Sequence, residues 1–207
     1  MGSYVNFEHK WGFMHIPKTG GTTVGYILKD IKNTFVIPGK FHSQTKDFPK
    51  NYFLFTFVRN PYTRYISLYL DEVQDKRFNG SLRDFTKITN ENYKSNIPLN
   101  SDIIFVDTYF FELKISPQYN IIKNGEEESR KINYIAKYEN FQNEIKFIFN
   151  QLNLLPPNNI PHQNPSTEFT NISLKEEFHN NLLKDSYVKD YIKERYKDDF
   201  YYLNYEF

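Results

Sequence analysis

The chain has 207 residues, the size of one globular domain, with 26 basic and 25 acidic side chains for a net charge of +1. That balance excludes a nucleic-acid binder working through a broad basic surface, so any anion site must be local. The absence of cysteine excludes disulfides, thiolate catalysis and cysteine-based zinc sites. An apolar fraction of 39% is low, but 20 Phe and 17 Tyr supply large buried areas per side chain and make a real core possible.

Met1 to Lys10 is polar and reads as no signal peptide. Trp11 to Ile16 reads as a short buried strand, and Pro17 to Gly21 as a breaker-rich turn. Thr22 to Ile31 carries Val24, Ile27, Leu28 and Ile31 at helical spacing. A second strand is expected over Thr34 to Ile37. Tyr52 to Val58 is the most apolar run and reads as a central strand buried on both faces. Asn60-Pro61 is a strong helix start, an N-cap followed by a first-turn proline, and predicts a helix to about Lys76. A short helix is expected over Ser81 to Ile88, a polar loop over Thr89 to Ser101, and another apolar run at Ile103 to Val106. Lys123 to Arg130 reads as a charged turn. A last strand at Tyr134 to Lys137 precedes a helix at Phe141 to Leu152, a Pro/Asn-rich loop at Pro156 to Thr167, and terminal helices over Leu174 to Lys184 and Ser186 to Phe200. Strands alternating with helices predict one α/β domain over residues 1–207 with a short, mainly parallel central sheet flanked by helices. No apolar run reaches the ~18 residues a membrane span needs. A soluble, cytoplasmic protein is therefore expected.

Two constellations carry chemistry. In His15-Ile-Pro-Lys-Thr-Gly-Gly-Thr-Thr23, glycines between a strand and a helix let the backbone approach a ligand, and the helix start favours an anion. Lys18 adds a full charge; Thr22 and Thr23 add hydroxyls. This is P-loop logic, but Lys18 precedes the glycines, whereas a Walker A lysine follows them. In Val58-Arg-Asn-Pro-Tyr-Thr-Arg-Tyr-Ile-Ser67, Arg59 ends the central strand. Ligands of open parallel sheets sit beyond the carboxyl ends of strands, where a guanidinium can grip a phosphate. Ser67, two turns into the following helix, offers a further donor. For each constellation the plainer reading is structural: a tight turn with an exposed lysine, and an arginine paired at a strand end.

Together the two segments resemble the PAPS-dependent sulfotransferases (PAPS is 3′-phosphoadenosine 5′-phosphosulfate), in particular the carbohydrate O-sulfotransferase branch. HIPKTGGTT resembles that family's 5′-phosphosulfate loop, and FVRNPYTRYISLY its 3′-phosphate motif, with Arg59 and Ser67 in matching places. Weaker echoes follow in YIAKYENF (Tyr134 to Phe141), HQNPS (His162 to Ser166) and the Tyr-rich end. The resemblance implies a P-loop-like three-layer fold, PAPS as co-substrate and PAP as product. It implies a hydroxyl-bearing acceptor such as a glycan, and no metal. Lys18, Thr19, Gly20, Gly21, Thr22 and Thr23 would hold the 5′ end, with Lys18 stabilising the departing phosphate oxygen. Arg59 and Ser67 would hold the 3′-phosphate, and Asn164 and Ser166 would contact the nucleotide. Relatives of this kind can sit in the Golgi behind an anchor, so a trimmed enzyme of that type is the alternative to a cytoplasmic one.

Acceptor deprotonation needs a base. His42, after the second strand, suits the task by its ordinary pKa near ~6.5; Asp47 and His162 are the reserves. His15 reads as a loop-orienting residue, Glu139 as structural, and His9 and His179 as surface residues. No set of His and carboxylates has metal-ligand spacing, so no metal site is expected. Two alternatives stay open at this point. One is a P-loop phosphotransferase using Asp102-Ile-Ile-Phe-Val-Asp107 as a Walker-B-like strand. The other is a non-catalytic nucleotide-binding module.

Overall fold

The computed structural model describes residues 2–37, 44–95, 112, 114–123, 130–157, 160 and 184–207. His42, His162, Asn164, Ser166 and His179 lie outside the described residues. So do Asp102, Asp107, the apolar run Ile103 to Val106 and, except for Lys184, the helix expected from Leu174. The described residues form two compact units. One is drawn from residues 1–59 and 118–164, the other from 60–117 and 165–207.

The first unit is built on a five-stranded sheet. Its strands are β1 (Tyr4–Asn6), β2 (Trp11–Met14), β3 (Thr34–Val36), β4 (Phe53–Val58) and β5 (Ile132–Lys137). Their spatial order is β3-β1-β2-β4-β5. β2, β4 and β5 are a parallel core. β1 is antiparallel to both β2 and β3, so four strands share one direction and β1 alone is reversed. The sheet is thus mixed, a parallel centre with an antiparallel extension. β1 falls in the segment that reads as merely polar. It forms because its polar groups are satisfied in place: Asn6 is buried and its Nδ2 donates to the Lys32 carbonyl at 2.9 Å and to Thr34 Oγ1 at 3.0 Å.

Helices α1 (Gly21–Leu28), α4 (Gln118–Lys123) and α5 (Phe141–Gln151) complete this unit. The period-2 pattern of β2 and β4 puts Trp11, Phe13, Phe55 and Phe57 in one cluster with Ala136 of β5. Val24, Ile27 and Leu28 of α1 and Ile145, Ile148 and Phe149 of α5 pack into the same cluster. The i, i+3, i+4 spacing on each helix supplies the matching apolar stripe. α4 is not announced in the sequence, because its short run Ile121-Ile122 carries too little periodicity. β4 is buried along nearly its whole length. Its one polar side chain is satisfied internally, Thr56 Oγ1 donating to the Met14 carbonyl at 2.7 Å.

The second unit contains α2 (Pro61–Gln74), α3 (Leu82–Ser95), α6 (Ser186–Arg195) and α7 (Lys197–Tyr202). Asn60 caps α2 as expected, its side-chain oxygen accepting from Tyr62 N at 3.0 Å and Thr63 N at 3.4 Å. α3 runs well past Ile88, where a polar loop is expected. Apolar spacing misses its continuation because Thr86 and Thr89 are buried hydroxyls, and Tyr65 Oη lies 2.8 Å from Thr89 Oγ1. The expected helix from Ser186 to Phe200 is broken into α6 and α7 at Tyr196. Tyr65, Tyr191 and Tyr196 pack in one core cluster with Phe85 and Phe200, the Tyr191 and Tyr196 rings tilted against that of Tyr65.

Burial raises the phenol pKa values of Tyr65, Tyr191 and Tyr196, because the charged phenolate is disfavoured there. A raised folded-state value means the unfolded chain ionises first. The contribution of these phenols is therefore complete below about pH 10, the ordinary tyrosine value, and is lost as pH climbs past it. Thermal melts are expected to fall steeply above about pH 10, and Tyr65→Phe is expected to reduce that slope. An identical slope in the variant would remove Tyr65 from the account.

Candidate active site

The loop between β2 and α1 is held in shape from inside. Thr19 is fully buried and its hydroxyl donates to the Ile16 carbonyl at 2.8 Å. Thr19 thus shapes the turn with its side chain. Lys18 has φ 66° and Gly20 has φ 86°, both in the left-handed region. Glycine takes that conformation readily, whereas lysine holds it at a strain cost. Gly20 is the residue before α1, and its carbonyl accepts from Val24 N at 3.2 Å. The N–H groups of Gly21, Thr22 and Thr23 therefore stand in the first turn, where an α-helix has donors without intrahelical acceptors. No acidic residue lies in that turn, so nothing there opposes an anion. Thr22 is half-exposed and Thr23 buried.

The two glycines have a further cause that the sequence does not announce. A Cβ on Gly20 would lie 2.7 Å from the Tyr138 ring, and one on Gly21 only 2.1 Å from His15 Nε2. His15 is buried, and its N–H donates to Ser3 Oγ at 3.0 Å. His15 is expected to orient the loop by a hydrogen bond; what the structure shows is its ring packed against Gly21 at the helix start. Gly21→Ala is expected to destabilise the protein by about 1–3 kcal/mol, the usual cost of overpacking a filled site. Thermal unfolding measures this, and an unchanged midpoint would contradict the packing described.

Arg59 follows β4 and meets this loop. Only 6% of it is exposed. One guanidinium nitrogen donates to the Lys18 carbonyl at 3.4 Å, and the guanidinium lies 4.6 Å from the centre of the Tyr138 ring. That distance is within cation–π range. Tyr138, in a 3₁₀ turn at Tyr138–Asn140 after β5, therefore touches both Gly20 and Arg59. The YIAKYENF segment hints at a role for it, but the contact to Arg59 is legible only once β4 and β5 are paired. Its neighbour Glu139 is exposed.

The structure thus brings together Lys18, Thr19, Gly20, Gly21, Thr22, Thr23 and Arg59. Ser67 is buried on α2 in the second unit. Arg64 of the same motif is a structural residue there. It is buried and donates to the carbonyls of Ser116 and Lys114, each at 2.9 Å. His9 is exposed. Asp47 accepts from Gln44 N at 2.8 Å in a capping box of its own short 3₁₀ turn. Among the described residues, no three His, Asp or Glu side chains gather to hold a metal ion. Also among them, no helix is long and apolar enough to cross a membrane.

The protein is thus an α/β protein with a parallel strand centre, a glycine turn that opens a helix and a buried arginine against that turn. The sequence profile described as "Sulfotransferase family" matches residues 2–206. The chain belongs to the sulfotransferase family, a family of transferase enzymes that move sulfuryl groups. No curated protein and no solved structure matches the chain.

Proposed function

We propose that the chain, as one domain of P-loop-like three-layer build, transfers a sulfuryl group from PAPS to an acceptor hydroxyl, on a carbohydrate. The observation that carries this reading is the meeting of Arg59 with the Lys18–Thr23 turn. A guanidinium and an amide-rich helix start then lie side by side, as a nucleotide with two separate phosphate groups requires. The loop amides with Thr22 and Thr23 would hold the 5′ end. Arg59 would grip the 3′-phosphate, with the Ser67 hydroxyl as a second donor, and Asn164 and Ser166 would contact the nucleotide.

In the transfer, the acceptor oxygen bonds to sulfur as the bond from sulfur to the 5′-phosphate oxygen breaks. The acceptor proton passes to a base, for which His42 is proposed, and PAP departs. Negative charge grows on the departing phosphate oxygen, where the Lys18 ammonium stabilises it. This is positioning plus electrostatics, with protein cations doing the neutralising. The resemblance of the two motifs to the carbohydrate branch supports a sugar hydroxyl as acceptor.

Incubation with radiolabelled PAPS and a glycan panel tests the reading. Label is expected to move to a glycan hydroxyl. Absence of transfer to every hydroxyl acceptor, with phosphate transfer from ATP in its place, would overturn it.

A further inference from the structure

Arg59 must present its guanidinium in one orientation, yet it sits just beyond the end of β4, outside the strand ladder. Its backbone is held there by a side chain. Gln118, the first residue of α4, has no exposed surface. Its Oε1 accepts from the Arg59 N–H at 2.8 Å, and its Nε2 donates to the Arg59 carbonyl at 2.8 Å. One amide side chain thus imitates a neighbouring strand for this single residue, satisfying both its backbone groups. Glutamine and asparagine alone among side chains offer a fixed donor and acceptor in that geometry. A buried amide of this kind costs desolvation unless both ends are bonded, and here both bonds go to one residue. The guanidinium end is set by Tyr138 and the Lys18 carbonyl. The backbone end is set by Gln118.

We propose that Gln118 is a positioning residue for nucleotide binding, acting through Arg59 by clamping its backbone N–H and C=O. This rests on the reading of Arg59 as a phosphate-gripping residue. Gln118→Leu keeps the volume and removes both bonds. Gln118→Glu keeps the acceptor but, when ionised, loses the donor and sets a carboxylate against the Arg59 carbonyl. Burial disfavours the charged form of that Glu, and its protonation restores a donor.

The test is titration of the full chain with PAP, alongside thermal melts to confirm folding at the assay temperature. Gln118→Leu is expected to weaken PAP binding about tenfold, the scale of one lost positioning interaction. In turnover assays it is expected to raise KM for PAPS more than it lowers kcat. Gln118→Glu is expected to bind PAP weakly near pH 8 and to approach wild-type affinity at the same pH as the medium is acidified toward pH 6. In the Arg59→Ala background, Gln118→Leu is expected to add no further loss. Folded Gln118 variants with wild-type PAP affinity at every pH would overturn the proposal, as would full additivity with Arg59→Ala. If Gln118→Leu fails to fold, the pH response of Gln118→Glu carries the same decision. Unchanged PAP affinity in Arg59→Ala alone would overturn the reading beneath it, an outcome distinct from failure of the clamp.

Discussion

Arg59→Ala is expected to weaken PAP binding by about 2–4 kcal/mol, the scale for truncating one partner of a buried charged contact. The residue is buried between the Lys18 carbonyl and the Tyr138 ring. The protein has therefore already met the cost of desolvating and orienting its guanidinium before ligand arrives. Arg59→Lys is expected to recover only part of the affinity. An ammonium keeps the charge but loses the planar fork that meets two phosphate oxygens and lies flat on an aromatic ring. Titration calorimetry on the three proteins measures both effects. Equal dissociation constants for wild type and Arg59→Ala would remove Arg59 from the site.

Lys18→Ala is expected to act on a different quantity. Charge on the departing oxygen is greater in the transition state than in bound PAPS, so the ammonium interacts most strongly there. Turnover is expected to fall by about 10²–10³-fold, the scale of one lost electrostatic stabiliser, with a much smaller change in PAP affinity. Alanine is a clean comparison because it meets the same left-handed backbone at position 18 (φ 66°) as lysine does. The turn is also anchored by the Thr19 hydroxyl, which donates to the Ile16 carbonyl. Steady-state rates with saturating PAPS, set beside PAP titrations, separate the two effects. Equal losses in rate and affinity would mean that Lys18 only binds, with no special role in the transition state.

The parts of this protein legible in its sequence are those marked by strong local signals. The run FLFTFV, the Pro/Gly punctuation of the β2–α1 turn and the Asn-Pro start of α2 each dictate local structure with little help from elsewhere. Less legible were elements stabilised by distant polar partners. β1 depends on Asn6 finding the Lys32 carbonyl and Thr34. The length of α3 depends on Thr86 and Thr89 burying their hydroxyls near Tyr65. Hydrophobic periodicity sees neither, because the buried residues are polar.

The candidate site divides in the same way. Lys18, the glycines and Arg59 stand in recognisable motifs. By contrast, the support given by Tyr138 and Gln118 is conformational. They lie 79 and 59 positions along the chain from Arg59, and only the folded chain brings them to it. The glycines also carry a meaning that local reasoning cannot supply, since His15 and Tyr138 fill the space their missing side chains leave.

Comparing the affinities of PAP and adenosine 5′-phosphate for the wild-type chain tests the central claim most directly. The two nucleotides differ only in the 3′-phosphate that Arg59 is proposed to grip. PAP is expected to bind about 100-fold more tightly, a difference of about 2.7 kcal/mol, and the gap is expected to close in Arg59→Ala. Equal affinity of the wild-type chain for the two nucleotides would contradict the account.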